Sequence, residues 1–152
     1  LLRAKQPRSP VAALPSGSFE EILDDPGVTE PAAVKRVVLA SAKVAHEAIA
    51  RRDATGAPVA VLRMEQLYPW PAERLAHLVA KYANTESVVW LQEEPRNMGA
   101  WRFVRERFLD GDVFASGRKL HYAGRAASAA PAPGSLKVHL AEQEALVKEA
   151  LA

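Results

Sequence analysis

Four short apolar runs, each followed by a stretch with helical spacing, constrain this chain more than any other feature. They are Val37-Val38-Leu39-Ala40, Val59-Ala60-Val61-Leu62, Ser87-Val88-Val89-Trp90-Leu91 and Leu120-His121-Tyr122-Ala123. Unbroken apolar residues are what a strand buried on both faces requires, whereas a half-exposed strand alternates. After the first run Ser41 caps a helix expected over Lys43 to Arg52, and Gly56 stops it. After the second, Pro71 suits a first helical position, and Leu75, Leu78, Val79 and Tyr82 fall at i, i+3, i+4 and i+7. A third helix is expected from about Gly99 to Leu109. Ser135 caps a fourth, with Leu140, Val147 and Leu151 on one side. Strands alternating with helices give an α/β fold: a three-layer sandwich around a mostly parallel sheet of about four to five strands. Right-handed crossovers place helices on both faces.

The first fifth of the chain reads differently. Residues 1–33 are rich in Pro, Ser, Ala and acid, and Pro7, Pro10, Pro15, Pro26 and Pro31 break any long element. This is an irregular N-terminal arm or linker, ahead of an α/β domain over 34–152. One short helix is expected in it, Ser18 to Leu23, with Ser18 and Glu21 as a capping box. The chain opens on Leu1 with no Met, so it is expected to be a piece of a longer protein.

Composition excludes several classes. With 152 residues, 49 % of them hydrophobic, the chain can bury a core. It has no cysteine, which rules out disulfides, thiolate catalysis and cysteine-held metals, and fits a reducing compartment. No apolar run reaches the roughly 18 residues a membrane-spanning helix needs, so no membrane partner is expected. Net charge is +2, with three Lys/Arg against five Asp/Glu in residues 1–33. Arg102, Arg105 and Arg107 form the one local basic cluster and read as a solvated helix face, so no nucleic-acid partner is expected either.

In a sheet of this kind ligands bind outside the carboxyl ends of the strands. Those ends are Ser41-Ala42-Lys43, Glu65-Gln66, Gln92-Glu93-Glu94 and Gly124-Arg125. Their convergence marks either a binding edge or merely the place where strands run out into polar turns. Glu93 and Glu94 are adjacent carboxylates, which repel unless donors or cations meet them. They point to opposite sides if the strand continues, which makes them poor partners for a shared proton. Lys43 at a helix start could reach an anion, or could simply be solvated. No glycine-rich phosphate loop follows the first strand. Among the histidines, His46 and His77 read as surface residues, His121 as a core residue and His139 as lying near a helix start. None shows metal spacing or an accompanying nucleophile.

Longer motifs carry a resemblance. Val61-Leu62-Arg63-Met64-Glu65-Gln66-Leu67-Tyr68-Pro69-Trp70-Pro71 resembles a segment of the 2-oxoglutarate dehydrogenase first component. Gln92-Glu93-Glu94-Pro95-Arg96-Asn97-Met98-Gly99-Ala100-Trp101 resembles that family's next signature. Tyr122-Ala123-Gly124-Arg125, Ser128 to Gly134, Lys137-Val138-His139 and Glu142-Gln143 resemble its closing segment. Order and spacing are kept from about Leu2 to Ala152, so the chain as a whole is similar to that family's C-terminal domain, with a transketolase C-terminal-domain-like fold.

The resemblance implies a thiamine-diphosphate- and magnesium-dependent parent. It decarboxylates 2-oxoglutarate, or a close homologue such as 2-oxoadipate, and passes the succinyl group to the lipoyl arm of a succinyltransferase component. It implies that cofactor and substrate ligands lie in preceding domains, so the chain alone is expected to be inactive. Its partners would be those domains, a second copy in a homodimer and the lipoyl-bearing component. The compartment would be the bacterial cytoplasm or the mitochondrial matrix. Some relatives bind acetyl-CoA through this domain; here Gln66 and Arg74 match, while Ser18, Glu21 and Glu73 depart from the pattern. Loss of cations and added repulsion are expected to make acetyl-CoA regulation weak or absent. The family's Ser-Gly-Lys is Ser41-Ala42-Lys43, so residue 42 is expected to avoid positive φ. On this footing Lys43, Arg63, Glu93, Glu94 and Arg125 form a structural strand-end cluster, with no catalytic residue among them. The rival function is a stand-alone acyl-CoA or nucleotide-sensing module using the same edge.

Overall fold

The apolar runs become the central strands because each offers hydrophobic side chains to both faces. The computed structural model describes residues 7–8, 11, 15, 17–110 and 118–152. In chain order it holds β1 (Ile22–Leu23), a 3-10 turn (Pro31–Ala33), β2 (Arg36–Ala40), α1 (Ala42–Thr55), β3 (Val59–Met64) and α2 (Ala72–Lys81). Then come β4 (Ser87–Pro95), α3 (Trp101–Asp110), β5 (Lys119–Arg125) and α4 (Leu136–Leu151). One sheet orders the strands β1-β3-β2-β4-β5. β2, β3, β4 and β5 run parallel, and β1 is antiparallel to β3. The α/β three-layer architecture expected from the sequence is therefore the one observed.

Alternate residues separate into two cores. Val37 and Leu39 of β2, Ala60 and Leu62 of β3, and Val88 and Trp90 of β4 pack with Leu75, Leu78 and Val79 of α2 and Trp101 and Val104 of α3. Val38 and Ala40, Val59 and Val61, and Val89 and Leu91 pack with Val44, Ala45 and Ala48 of α1 and Leu146, Val147 and Ala150 of α4. Small residues on α1 let it sit close to the sheet, and Gly56, at φ +68°, ends it in a left-handed turn that favours glycine. Of the stripe expected on α4, Val147 is buried and Leu151 packs against the core, joined by Gln143, Leu146 and Ala150, whereas Leu140 is 57 % exposed.

The N-terminal arm departs most from expectation. Ser18 to Leu23 is not a helix; Ile22 and Leu23 pair with Met64 and Arg63 as the edge strand of the sheet. Just beyond, Asp25 is nearly fully buried. Its Oδ2 accepts the Val61 N–H at 2.8 Å, and both carboxylate oxygens take the Arg52 guanidinium, at 2.6 and 3.0 Å. Arg52 Nη1 also donates to the Val59 carbonyl at 3.1 Å. A side-chain ion pair thus continues the hydrogen bonding along β3 where β1 stops. The capping-box pattern lost to this because Ile22 gains a fully buried place against β3, worth roughly 2–3 kcal/mol in apolar burial, more than one exposed turn of helix could offer.

β4 also runs further than its apolar residues do. Register with β5 holds from Ser87↔Lys119 to Leu91↔Ala123, then slips so that Pro95 faces Arg125. Over this stretch β4 carries two residues more than β5, and Gln92, Glu93 and Glu94 sit in the irregularity. Extra residues bend a strand and re-aim its side chains.

Candidate functional site

β2 leads through α1 to β3 on one side, while β4 lies on its other side, so the sheet reverses winding between β2 and β4. This is the topological switch point, where the strand ends open a crevice. Ser41, Ala42 and Lys43 leave β2 there, and Gln92, Glu93 and Glu94 leave β4. Ala42 has φ +54°, which corrects the expectation that residue 42 avoids the left-handed region. The chain must leave β2 and start α1 within two residues, and the packing of Val44, Ala45 and Ala48 decides that turn against the local preference of alanine. A left-handed alanine costs about 1–2 kcal/mol. Ala42→Gly is accordingly expected to stabilise the chain by up to about 1 kcal/mol, the gain being reduced by the greater freedom of glycine in the unfolded state. Denaturant titration measures this directly, and a destabilised Ala42→Gly variant would contradict the account.

On the α1–α4 side the polar groups consume one another. Glu93 Oε1 accepts from Lys43 Nζ at 2.9 Å and from Gln143 Nε2 at 2.8 Å. Lys43 also pairs with Glu47 at 2.7 Å, and Gln143 Nε2 donates to Glu47 at 2.6 Å. Burial opposes the Lys43 charge, but these two carboxylates outweigh it and hold the ammonium above its ordinary pKa. Arg125 reaches in from β5. It donates to Glu142 at 2.9 Å, to Gln143 Oε1 at 3.1 Å, to the Glu93 carbonyl and to the ring nitrogen Nδ1 of His139 at 3.0 Å. Two cations thus meet three carboxylates, and no positive charge is left over for an anion.

On the α2–α3 side the centre is Gln92, which is 4 % exposed. Its Oε1 accepts the Trp90 indole N–H and the Trp101 backbone N–H, both at 2.9 Å. Its amide nitrogen donates to the carbonyls of Met98 at 2.9 Å and of Glu94 and Pro95 at 3.2 Å. Gly99 sits against it at φ +62°, where an added Cβ would lie 3.0 Å from the Gln92 amide nitrogen. One amide therefore closes the β4–α3 turn. Beside it lies a cleft of about 470 Å³ lined by residues that include Ser41, Tyr68, Gln92, Glu94 and Phe103.

Of the five residues expected to cluster at the strand ends, Lys43, Glu93 and Arg125 come together. Arg63 does not join them: it donates to His46 Nε2 at 3.2 Å and lies 3.7 Å from Glu65. The bend in β4 turns Glu94 to the opposite, exposed side, where its backbone carbonyl rather than its carboxylate is used. Burial and the Arg63 charge hold the His46 pKa below its ordinary value. His121, expected in the core, is exposed because β5 is an edge strand; His77 is exposed as expected. Gln66 donates to the Pro69 carbonyl at 2.9 Å, and Arg74 to Glu20 at 2.8 Å. Among the described residues no group of three or more His, Asp or Glu is placed to hold a metal ion.

Three residues escaped the sequence reading although two left a signal. Arg52 continues the i, i+4 row Val44–Ala48, so an arginine occupies a core-facing position of α1. Gln92 likewise continues the Val88–Trp90 alternation onto a buried face. Asp25, in an Asp-Asp-Pro-Gly turn, gave none.

Comparison with known proteins places the chain in a family. The family model described as 2-oxoglutarate dehydrogenase C-terminal matches residues 8–151. Curated relatives named 2-oxoglutarate dehydrogenase E1 component include one from Cupriavidus necator, 40 % identical over 100 % of this chain and 16 % of its own length. Those from Azotobacter vinelandii and Shouchella clausii are 42 % and 38 % identical, each over 99 % of this chain and 16 % of the relative. The chain spans about one sixth of the length of these relatives. A match over nearly every described element settles the assignment: the chain belongs to the 2-oxoglutarate dehydrogenase C-terminal family.

Proposed function

We propose that this chain is the non-catalytic C-terminal domain of an enzyme that decarboxylates 2-oxoglutarate with thiamine diphosphate and magnesium and passes succinyl to a lipoyl group. In this proposal cofactors and substrate are held outside the chain, and the domain supports dimer assembly and the architecture of an active site built by preceding domains. The observation that carries it is the internal consumption of polar groups at the switch point. Lys43, Glu47, Glu93, Arg125 and Gln143 satisfy one another, and Gln92 ties the turn, so the edge where ligands usually bind is here a joint. The rival acyl-CoA-sensing module is disfavoured by the same observation and by the Arg74–Glu20 pair, which engages the one matching cation. Glu73 beside it adds repulsion toward a phosphate.

The two adjacent carboxylates separate the alternatives experimentally. In the full-length enzyme, Glu93→Gln is expected to lower stability by about 0.5–1.5 kcal/mol, the range for a partly exposed charge-assisted pair. Turnover by the assembled enzyme should be unchanged. Glu94→Gln should change neither. Thermal melts beside steady-state kinetics check both variants. Normal assembly with abolished chemistry in either would make the carboxylates catalytic and overturn the proposal.

A further inference from the structure

The two edges of the sheet are finished differently. On the β3 side, β1, the Asp25 carboxylate and the Arg52 guanidinium occupy the backbone groups. On the other side β5 is outermost, and among the described residues no strand pairs with its far side. An outermost strand leaves every second N–H and C=O unmatched, ready to pair with another chain. A groove of about 840 Å³ follows β5 and takes in both faces of the sheet. Leu120 and Tyr122 lie on the α3 side with Trp101 and Arg105; Lys119 and His121 lie on the α4 side with Val89 and Glu149.

Among the described residues the charge around this groove is mainly positive. Arg36, Arg96, Arg105, Arg118 and Lys119 line it, with the one carboxylate of Glu149. Arg36 and Arg118 donate to backbone carbonyls, and among the described residues neither forms an ion pair. Arg96 lies over the rings of Trp101 and Tyr122, 5.9 and 5.4 Å from their centroids, so its fork is oriented without being neutralised. Like charges facing each other across paired strands are destabilising. Two copies of β5 therefore repel, whereas a strand bearing carboxylates is attracted and steered in. Leu120 and Tyr122 would meet those side chains of such a strand that point to the α3 face.

We propose that β5 is a docking edge for an extended acidic segment of another polypeptide, which adds to the sheet as a further strand. Backbone hydrogen bonds would supply affinity, and the cations would select carboxylates. The inference is independent of the role proposed for the switch point.

The test uses the full-length protein and a fluorescent peptide of alternating Glu and Val, about seven residues long to match a strand. Binding is expected by anisotropy, with slowed amide exchange confined to Lys119–Arg125. Methylating alternate peptide nitrogens, which removes the strand hydrogen bonds and leaves the charge and the protein intact, should weaken binding at least about tenfold. Lys119→Gln combined with Arg105→Gln, both at exposed positions, should weaken it by a similar factor, and an oligouridylate of equal charge should not compete. No binding, equal binding of the methylated peptide, or tighter binding of the oligonucleotide would each overturn the proposal, the last by making the groove a nucleic-acid surface.

Discussion

Replacing Arg52 with alanine is expected to destabilise the chain by about 3–5 kcal/mol, the cost of removing one partner from a buried ion pair. Asp25 is 2 % exposed and Arg52 6 %, so a carboxylate left alone there cannot recover its hydration. It would keep the Val61 and Gly27 N–H groups as donors but lose both guanidinium contacts. The Val59 carbonyl would lose its donor as well. Arg52→Lys should cost less than alanine but remain clearly destabilising, because an ammonium cannot reproduce the two-pronged contact. Removing both partners by Asp25→Ala with Arg52→Ala should cost less than the sum of the single changes, since neither charge is then stranded. Urea denaturation followed through the buried Trp90 and Trp101 measures all four. A loss below about 1 kcal/mol for Arg52→Ala would mean that the arm does not depend on this pair.

Gln92→Leu is expected to cost about 2–4 kcal/mol although leucine is close in size and suits a buried position. The indole N–H of Trp90 and the backbone N–H of Trp101 would both lose their acceptor, and an orphaned buried polar group costs about 1–3 kcal/mol. The carbonyls of Glu94, Pro95 and Met98 would lose a shared donor. Gln92→Glu should be no better, because it keeps the acceptor but sets a carboxylate among those three carbonyls. The near-ultraviolet circular dichroism of the two tryptophans should change with stability, since both are tied to this side chain. A Gln92→Leu variant as stable as the parent, with unaltered tryptophan signals, would remove Gln92 from its place at the centre of the turn.

These two sites show where sequence reasoning reached and where it stopped. Val37, Val59 and Val88 announced central strands because a run buried on both faces has one composition wherever it occurs. Leu75, Leu78 and Val79 announced α2 for a similar reason, the periodicity being local. Ile22 gave no such announcement: a two-residue strand has no period, and its value comes wholly from β3, some forty residues further on. Ser18 and Glu21 offered a plausible local helix, and a non-local pairing overrode it.

The strand-end residues divide along the same line. Their convergence on one edge followed from strands alternating with helices, and so was available from sequence. Which of them meet was not, because it depends on the slip in β4 register after Leu91 and on where α4 lies against α1. That slip sends Glu93 to Lys43 and Gln143, turns Glu94 outward and buries Gln92.

The amino-acid sequence by itself determined the class of fold, the order of its elements from β2 onward and the family, because apolar periodicity and ordered motifs are properties of neighbouring residues. The tertiary structure alone decided the left-handed turn at Ala42, the Asp25–Arg52 pair that continues one sheet edge and the cations gathered along β5, the outermost strand among the described residues. Each of these depends on parts of the chain brought together from a distance: the sheet on which α1 packs, the β3 backbone groups that Asp25 and Arg52 meet, and the helices that flank β5.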